Sequence, residues 1–170
     1  MLSLMIGGSA SGKSEYAERH VQKLGGQRIY LATMEPWDDE CRARIAKHRR
    51  ARAGRGFTTL ERYTDLAGLP VPADGNVLLE CLSNLLANEL YSPEGGGAEA
   101  VREGLRSLRG RCRHLTVVTN EVFSGGADYA GDTLRYMRAL ADINRWLAGE
   151  ADLVCEIAAG LPNVLKGEEL

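Results

Sequence analysis

Short apolar runs alternate along this chain with stretches in which apolar residues recur at helical spacing. The runs predict strands at Leu2–Ile6, Arg28–Ala32, Phe57–Leu60, Val77–Leu79, Leu115–Thr119 and Leu153–Ile157. The helical patterns predict helices at Ser14–Leu24, Asp38–Ala53, Leu82–Leu90, Ala98–Leu108 and Thr133–Ala148. Strands followed by helices of this length indicate βαβ units, hence an α/β fold with a mainly parallel sheet covered on both faces. The continuous runs VLL and LTVV suit strands buried on both sides. SPEGGG (92–97) and FSGGAD (123–128) read as loops rather than linkers, because each is short and rejoins the same alternation. One domain over residues 1–170 is the expectation, since the chain is long enough for one real core and short for two.

The first strand runs into GGSASGKS (Gly7, Gly8, Ser9, Ala10, Ser11, Gly12, Lys13, Ser14), which fits the G-x-x-x-x-G-K-[ST] phosphate loop. Glycines let the chain wrap with its N–H groups pointing inward, and the following helix offers unpaired N–H groups and a positive dipole end to a phosphate. Lys13 reaches the β- and γ-phosphates, and the Ser14 hydroxyl is suited to Mg²⁺. The motif stands after an apolar strand and before a helix with Tyr16, Ala17 and His20 at helical spacing, as the mechanism requires. A carboxylate at the end of a neighbouring strand completes such a site. Glu80, directly after VLL, is the better candidate for catalysis and metal; Glu121, with Asn120, could equally fix the glycine-rich loop that follows.

A second concentration of chemistry lies in the basic helix. Seven arginines and lysines fall between Arg42 and Arg55, and His48 stands among them. Arg44, His48 and Arg52 are four apart and share one face. The same reading carries an inward stripe from Trp37 through Cys41 and Ile45 to His48 and Arg52. Neighbouring cations disfavour protonation, so the imidazole keeps a lone pair that can attack phosphorus while the guanidinium groups bind phosphate oxygens. A solvated basic helix with an incidental histidine remains the plain alternative at this stage.

Composition narrows the partners. A net charge of -2 argues against a general nucleic-acid or membrane-surface binder. The cysteines at 41, 81, 112 and 155 are at least 31 residues apart, which excludes CxxC spacing and points to reduced thiols. MLSLMI has no cationic leader, and VLLECLSNLLANEL is broken by polar residues, so the expectation is a cytoplasmic protein with no membrane span.

Taken together, GGSASGKS, AERH, IYLAT, DDE, RIAKHRRAR, LLECLSNLLAN, VVTNEV and LPNVLKG, in this order over nearly the whole chain, resemble a known family. It is that of the bifunctional adenosylcobinamide kinase/adenosylcobinamide-phosphate guanylyltransferases of cobalamin synthesis. The R-I-x-x-H-x-x-x-R segment, LLEC and TNEV are its most specific parts. The resemblance implies a single-domain P-loop NTPase with a RecA-like sheet, mainly parallel with one antiparallel strand, in a homotrimer. It implies GTP, ATP and Mg²⁺ as cofactors, adenosylcobinamide as substrate, and a guanylylated histidine at His48. It also implies nucleotide contacts from the phosphate loop, from Ala32, Thr33 and Met34, from Arg49, Arg50, Ala51 and Arg52, and from Glu61 and Glu80. Two places depart from the family pattern. Met137 and Arg138 stand where an Arg-Asp pair is usual before Asn-Gln, here Asn144 and Arg145, and Phe57 replaces a tryptophan. Two other readings stay open: a small-molecule kinase in which His48 only contacts phosphate, and a non-catalytic nucleotide-binding or RNA-binding module.

Overall fold

The structure is a computed structural model that describes residues 1–123 and 129–168, with the backbone alone at residue 51. The greater part of the FSGGAD loop, residues 124–128, lies outside the described residues. Seven strands form one sheet: β1 Leu2–Gly7, β2 Arg28–Ala32, β3 Phe57–Glu61, β4 Asn76–Glu80, β5 His114–Asn120, β6 Leu153–Ala158 and β7 Leu161–Lys166. Their order is β3-β2-β4-β5-β1-β6-β7. All neighbours run parallel except β6 and β7, which form an antiparallel hairpin. The helices are α1 Lys13–Lys23, α2 Asp39–Arg52, α3 Leu82–Tyr91, α4 Gly97–Arg111 and α5 Gly131–Glu150.

The central strands are apolar on both faces because both faces are covered. Leu4, Ile29, Leu31, Val77, Leu79, Leu115 and Val117 turn toward Leu85, Leu105, Ile143 and their neighbours on α3, α4 and α5. Met5, Tyr30, Leu78 and Val118 turn the other way, toward Ala17 and Val21 of α1. The mainly parallel α/β sheet flanked by helices is the fold expected from the sequence, and β7 supplies the antiparallel strand that the family resemblance implied. Among the described residues no helix is long and apolar enough to cross a membrane, and all four cysteines are free, Cys81 and Cys155 buried.

One expectation needs correction. The stripe from Trp37 to His48 does not face inward: Trp37 is 66% exposed, and Cys41 and Ile45 are only half-buried. α2 lies beside the β2/β3 edge, and Arg52 is the buried residue of its described side chains. A helix reading DECRARIAKHRRAR has too little apolar surface to be drawn onto a sheet along its length. Asp38 caps it, accepting from the Cys41 amide at 2.7 Å.

Candidate active site

The phosphate loop occupies the turn between β1 and α1. Gly12 takes φ +88°, in the left-handed region, and a Cβ at Gly7 would stand 2.5 Å from the Ile157 carbonyl oxygen. The loop is braced from the far end of the chain: the Gly160 amide, in the β6–β7 turn, donates to the Ser11 carbonyl at 2.8 Å. Lys13 is buried, with its ammonium donating to the Gly8 carbonyl at 2.9 Å across the mouth of the loop. Gly8, Ser9 and Ala10 are exposed at the rim, and Ser11 and Gly12 are half-buried.

Opposite the loop, Ser14 Oγ donates to Glu80 Oε1 at 2.6 Å. Glu80 Oε2 is buried and has no hydrogen-bond partner among the described residues. Burial pushes the Glu80 carboxyl up to about 7, against the opposing pull of the Ser14 hydroxyl and the Lys13 charge. A hydroxyl and a carboxylate oxygen with spare acceptor capacity, at the mouth of a phosphate loop, form a donor set that suits Mg²⁺ and its waters.

The sheet register brings the other predicted residues into line. Ala32 is level with Glu61 on one side and Glu80 on the other, so the two carboxylates stand two strands, or about 10 Å, apart along the carboxyl edge. Met34 is half-buried beyond that edge. Thr33 is fully enclosed: its Oγ1 accepts from the Cys81 amide and donates to the Cys81 carbonyl, both at 2.8 Å, and its own amide donates to the Glu80 carbonyl at 3.1 Å. It therefore braces the strand end that presents Glu80.

The basic helix joins this edge at two points. Arg49 forms an ion pair with Glu61. Arg52, 7% exposed, lies 3.4 Å above the centre of the Tyr30 ring. Tyr30 in turn meets Phe57 edge-on at 6.3 Å, so the aromatic change at Phe57 keeps a ring in this stack. Arg52 Nε and Nη1 are buried without partners, donors aimed at nothing that the described residues supply. Arg49, Arg52, Phe57, Thr59 and Glu61 line a cavity of about 650 Å³, within the range that takes a nucleotide. Arg50 is exposed and faces a smaller cavity of about 430 Å³ with Arg42, Ile45 and Tyr63. His48 is half-buried beside Arg52, and its imidazole is held below its ordinary value, as the sequence suggested. Burial is the leading cause, with Arg52, Arg44 and Lys47 adding to it.

Sequence reasoning missed the hairpin that braces the loop and the polar contacts behind Glu80. Asn120, left open with Glu121, proves to be tied by its Nδ2 to Ser83 Oγ at 2.6 Å. Glu121 accepts from the Phe123 amide at 2.8 Å, and the glycine-rich residues that follow lie outside the described ones. Met137 is half-buried and Arg138 exposed on α5, where Arg145 pairs with Asp142.

Comparison with known proteins agrees with this geometry. Residues 3–165 match the family described as "Cobinamide kinase / cobinamide phosphate guanyltransferase". The chain is 34% identical over its whole length to the full length of the "Bifunctional adenosylcobalamin biosynthesis protein CobP" of Pseudomonas aeruginosa. It is 31% identical to the protein of that description named CobU in Escherichia coli, and 30% to CobU of Salmonella typhimurium, with 95% of this chain and 97% of each relative covered. The phosphate loop, the carboxylate row and the histidine-bearing basic helix are thus features of a member of the cobinamide kinase / cobinamide phosphate guanyltransferase family, to which this chain belongs.

Proposed function

We propose that this chain catalyses two successive transfers in cobalamin synthesis: phosphorylation of adenosylcobinamide, then transfer of GMP from GTP to the adenosylcobinamide phosphate through His48. The observation that carries the reading is the attachment of the His48 helix to the carboxyl edge of the phosphate-loop sheet, by Arg49 on Glu61 and by Arg52 on Tyr30. It ties a neutral imidazole to the nucleotide end of the fold, with guanidinium groups on either side.

In the kinase step, ATP or GTP lies in the phosphate loop with Lys13 on its β- and γ-oxygens. The substrate hydroxyl forms a P–O bond to the γ-phosphorus as the β–γ anhydride bond breaks; the nucleoside diphosphate leaves, and the hydroxyl proton passes to solvent. Ser14 and Glu80 would hold a Mg²⁺ ion, which would neutralise part of the phosphate charge. In the guanylyl step an imidazole nitrogen of His48 forms a P–N bond to the α-phosphorus of GTP, and pyrophosphate leaves. An oxygen of the cobinamide phosphate then takes the GMP, the P–N bond breaks, and His48 returns to its neutral form. Arg52, with its two unpartnered donors, is suited to the charge that develops on the α-phosphate. The family likeness supports a homotrimer working in the cytoplasm, and the net charge of -2 speaks against nucleic acid as a partner.

The test is to incubate the protein with GTP and Mg²⁺ and measure the intact mass. Wild type should carry one GMP, in an acid-labile and alkali-stable adduct. His48→Asn should carry none and lose GMP transfer while keeping most of the kinase activity, whose nucleophile is the substrate's own hydroxyl. A wild type that phosphorylates adenosylcobinamide but never forms an adduct would leave only the kinase reading.

A further inference from the structure

β5 lies between the strand that ends in Glu80 and the strand that leads into the phosphate loop, in the order β4-β5-β1. Its tip therefore spaces the two halves of the phosphate site. The tip residue is Asn120, level with Gly7 in the sheet, and the next amide, of Glu121, donates to the Gly7 carbonyl at 3.0 Å. Toward β4 the Asn120 Nδ2 donates to Ser83 Oγ at 2.6 Å, and Ser83 is three residues past Glu80. Ser83 is itself held, its carbonyl accepting from Tyr136 Oη at 3.0 Å and its Oγ lying 3.2 Å from Cys81 Sγ. From α5, Asn144 accepts from Thr119 Oγ1 at 2.8 Å and donates to the Asn120 carbonyl at 3.3 Å.

Thr119, Ser83 and Asn144 are all buried. Packing alone would be served by apolar side chains, which carry no hydrogen-bonding demand. A satisfied polar network instead fixes one geometry, at the risk of about 1–3 kcal/mol for each partner lost. This network runs across the gap between the phosphate loop and its carboxylate.

We propose that Asn120 is a positioning residue for phosphoryl transfer: its carboxamide group, held by Ser83, and its backbone carbonyl, held by Asn144, together fix how far Glu80 stands from Lys13 and Ser14. The inference rests on the loop and Glu80 serving the kinase step as described above. The guanylyl step draws its nucleophile from α2, outside this network, and is less sensitive to that spacing. Loss of the clamp therefore shows in the kinase kcat rather than in nucleotide binding.

The experiment compares wild type with Asn120→Ala, Ser83→Ala and the double variant, reading kinase kcat and KM, the rate of GMP-adduct formation, and the thermal midpoint. A misplacement of about 1 Å costs on the order of 100-fold, so Asn120→Ala should lose at least about tenfold in kinase kcat. Its nucleotide KM and adduct rate should stay within about threefold. Ser83→Ala, which deletes one oxygen, should lose kcat in the same direction, and it carries the test should Asn120→Ala fail to fold. The double variant should be no worse than Asn120→Ala, because both remove one bond. Equal losses in the two reactions together with a lowered midpoint would overturn the proposal, as would an unchanged kinase kcat in an active enzyme. Wild-type protein that phosphorylates no cobinamide would overturn the kinase reading itself.

Discussion

Truncating Arg52 separates its contribution to stability from its contribution to chemistry. Its guanidinium group lies 3.4 Å from the centre of the Tyr30 ring and is 7% exposed. A desolvated cation–π contact of this kind is worth about 2 kcal/mol. Against it stand the buried and partnerless Nε and Nη1, each unmet donor costing about 1–3 kcal/mol. Arg52→Ala removes both contributions at once; two unmet donors equal or outweigh the contact, so the unfolding free energy should stay the same or rise by up to about 4 kcal/mol. Catalysis should not be spared. Losing a donor that meets developing phosphate charge costs about 3–4 kcal/mol, or about 10²–10³ in rate. Arg50→Ala is the control: Arg50 is exposed, has no side-chain partner among the described residues, and lies on the other side of the helix from His48. It should cost about threefold or less. The assay is the initial rate of GMP-adduct formation by intact mass, beside chemical denaturation of each variant. Equal, small effects at both arginines would refute the helix face proposed for His48. A loss of unfolding free energy as large as the catalytic loss would make Arg52 a structural residue.

Three further outcomes are expected. Lys13→Ala should abolish cobinamide phosphorylation and reduce adduct formation less severely, since nothing else in the loop neutralises the β/γ-phosphates; full kinase activity would remove the loop from the mechanism. The rate of adduct formation should fall at low pH with a midpoint below the ordinary imidazole value of about 6.5, because burial and the neighbouring cations keep His48 neutral to lower pH; a rate still climbing between pH 7 and 8 would contradict this. His20 is 4% exposed, accepts or donates at Ser3 Oγ over 3.3 Å, and is pushed down to about 4 by burial first and by Lys23 and His114 second. Between pH 6.5 and 4 the unfolded chain takes up a proton that the folded one refuses, so stability should fall as pH drops, by about 3 kcal/mol from this group; His20→Gln should flatten that part of a denaturation-versus-pH series.

What could be read in advance was whatever depends on local spacing. The GGSASGKS loop needs only adjacent residues, and the central strands announce themselves because burial on both faces demands continuous apolar runs. β7 has no strand signature in its hydrophobic pattern: LPNVLK is exposed at every position, contains a proline, and pairs antiparallel along β6. The support it gives the loop, through Gly160 on Ser11, spans 149 residues of chain and has no signature in either segment. α2 shows the same limit from the other side. Helical periodicity correctly put Arg44, His48 and Arg52 on one face, but it says which residues share a face and not whether a sheet lies beneath it. The chain answers with an exposed Trp37 and a buried Arg52, the reverse of what residue type alone suggests. Burying a cation whose donors find no partner is unfavourable in the free protein. It makes physical sense where an anion is to meet those donors, beside an imidazole kept neutral by the same burial.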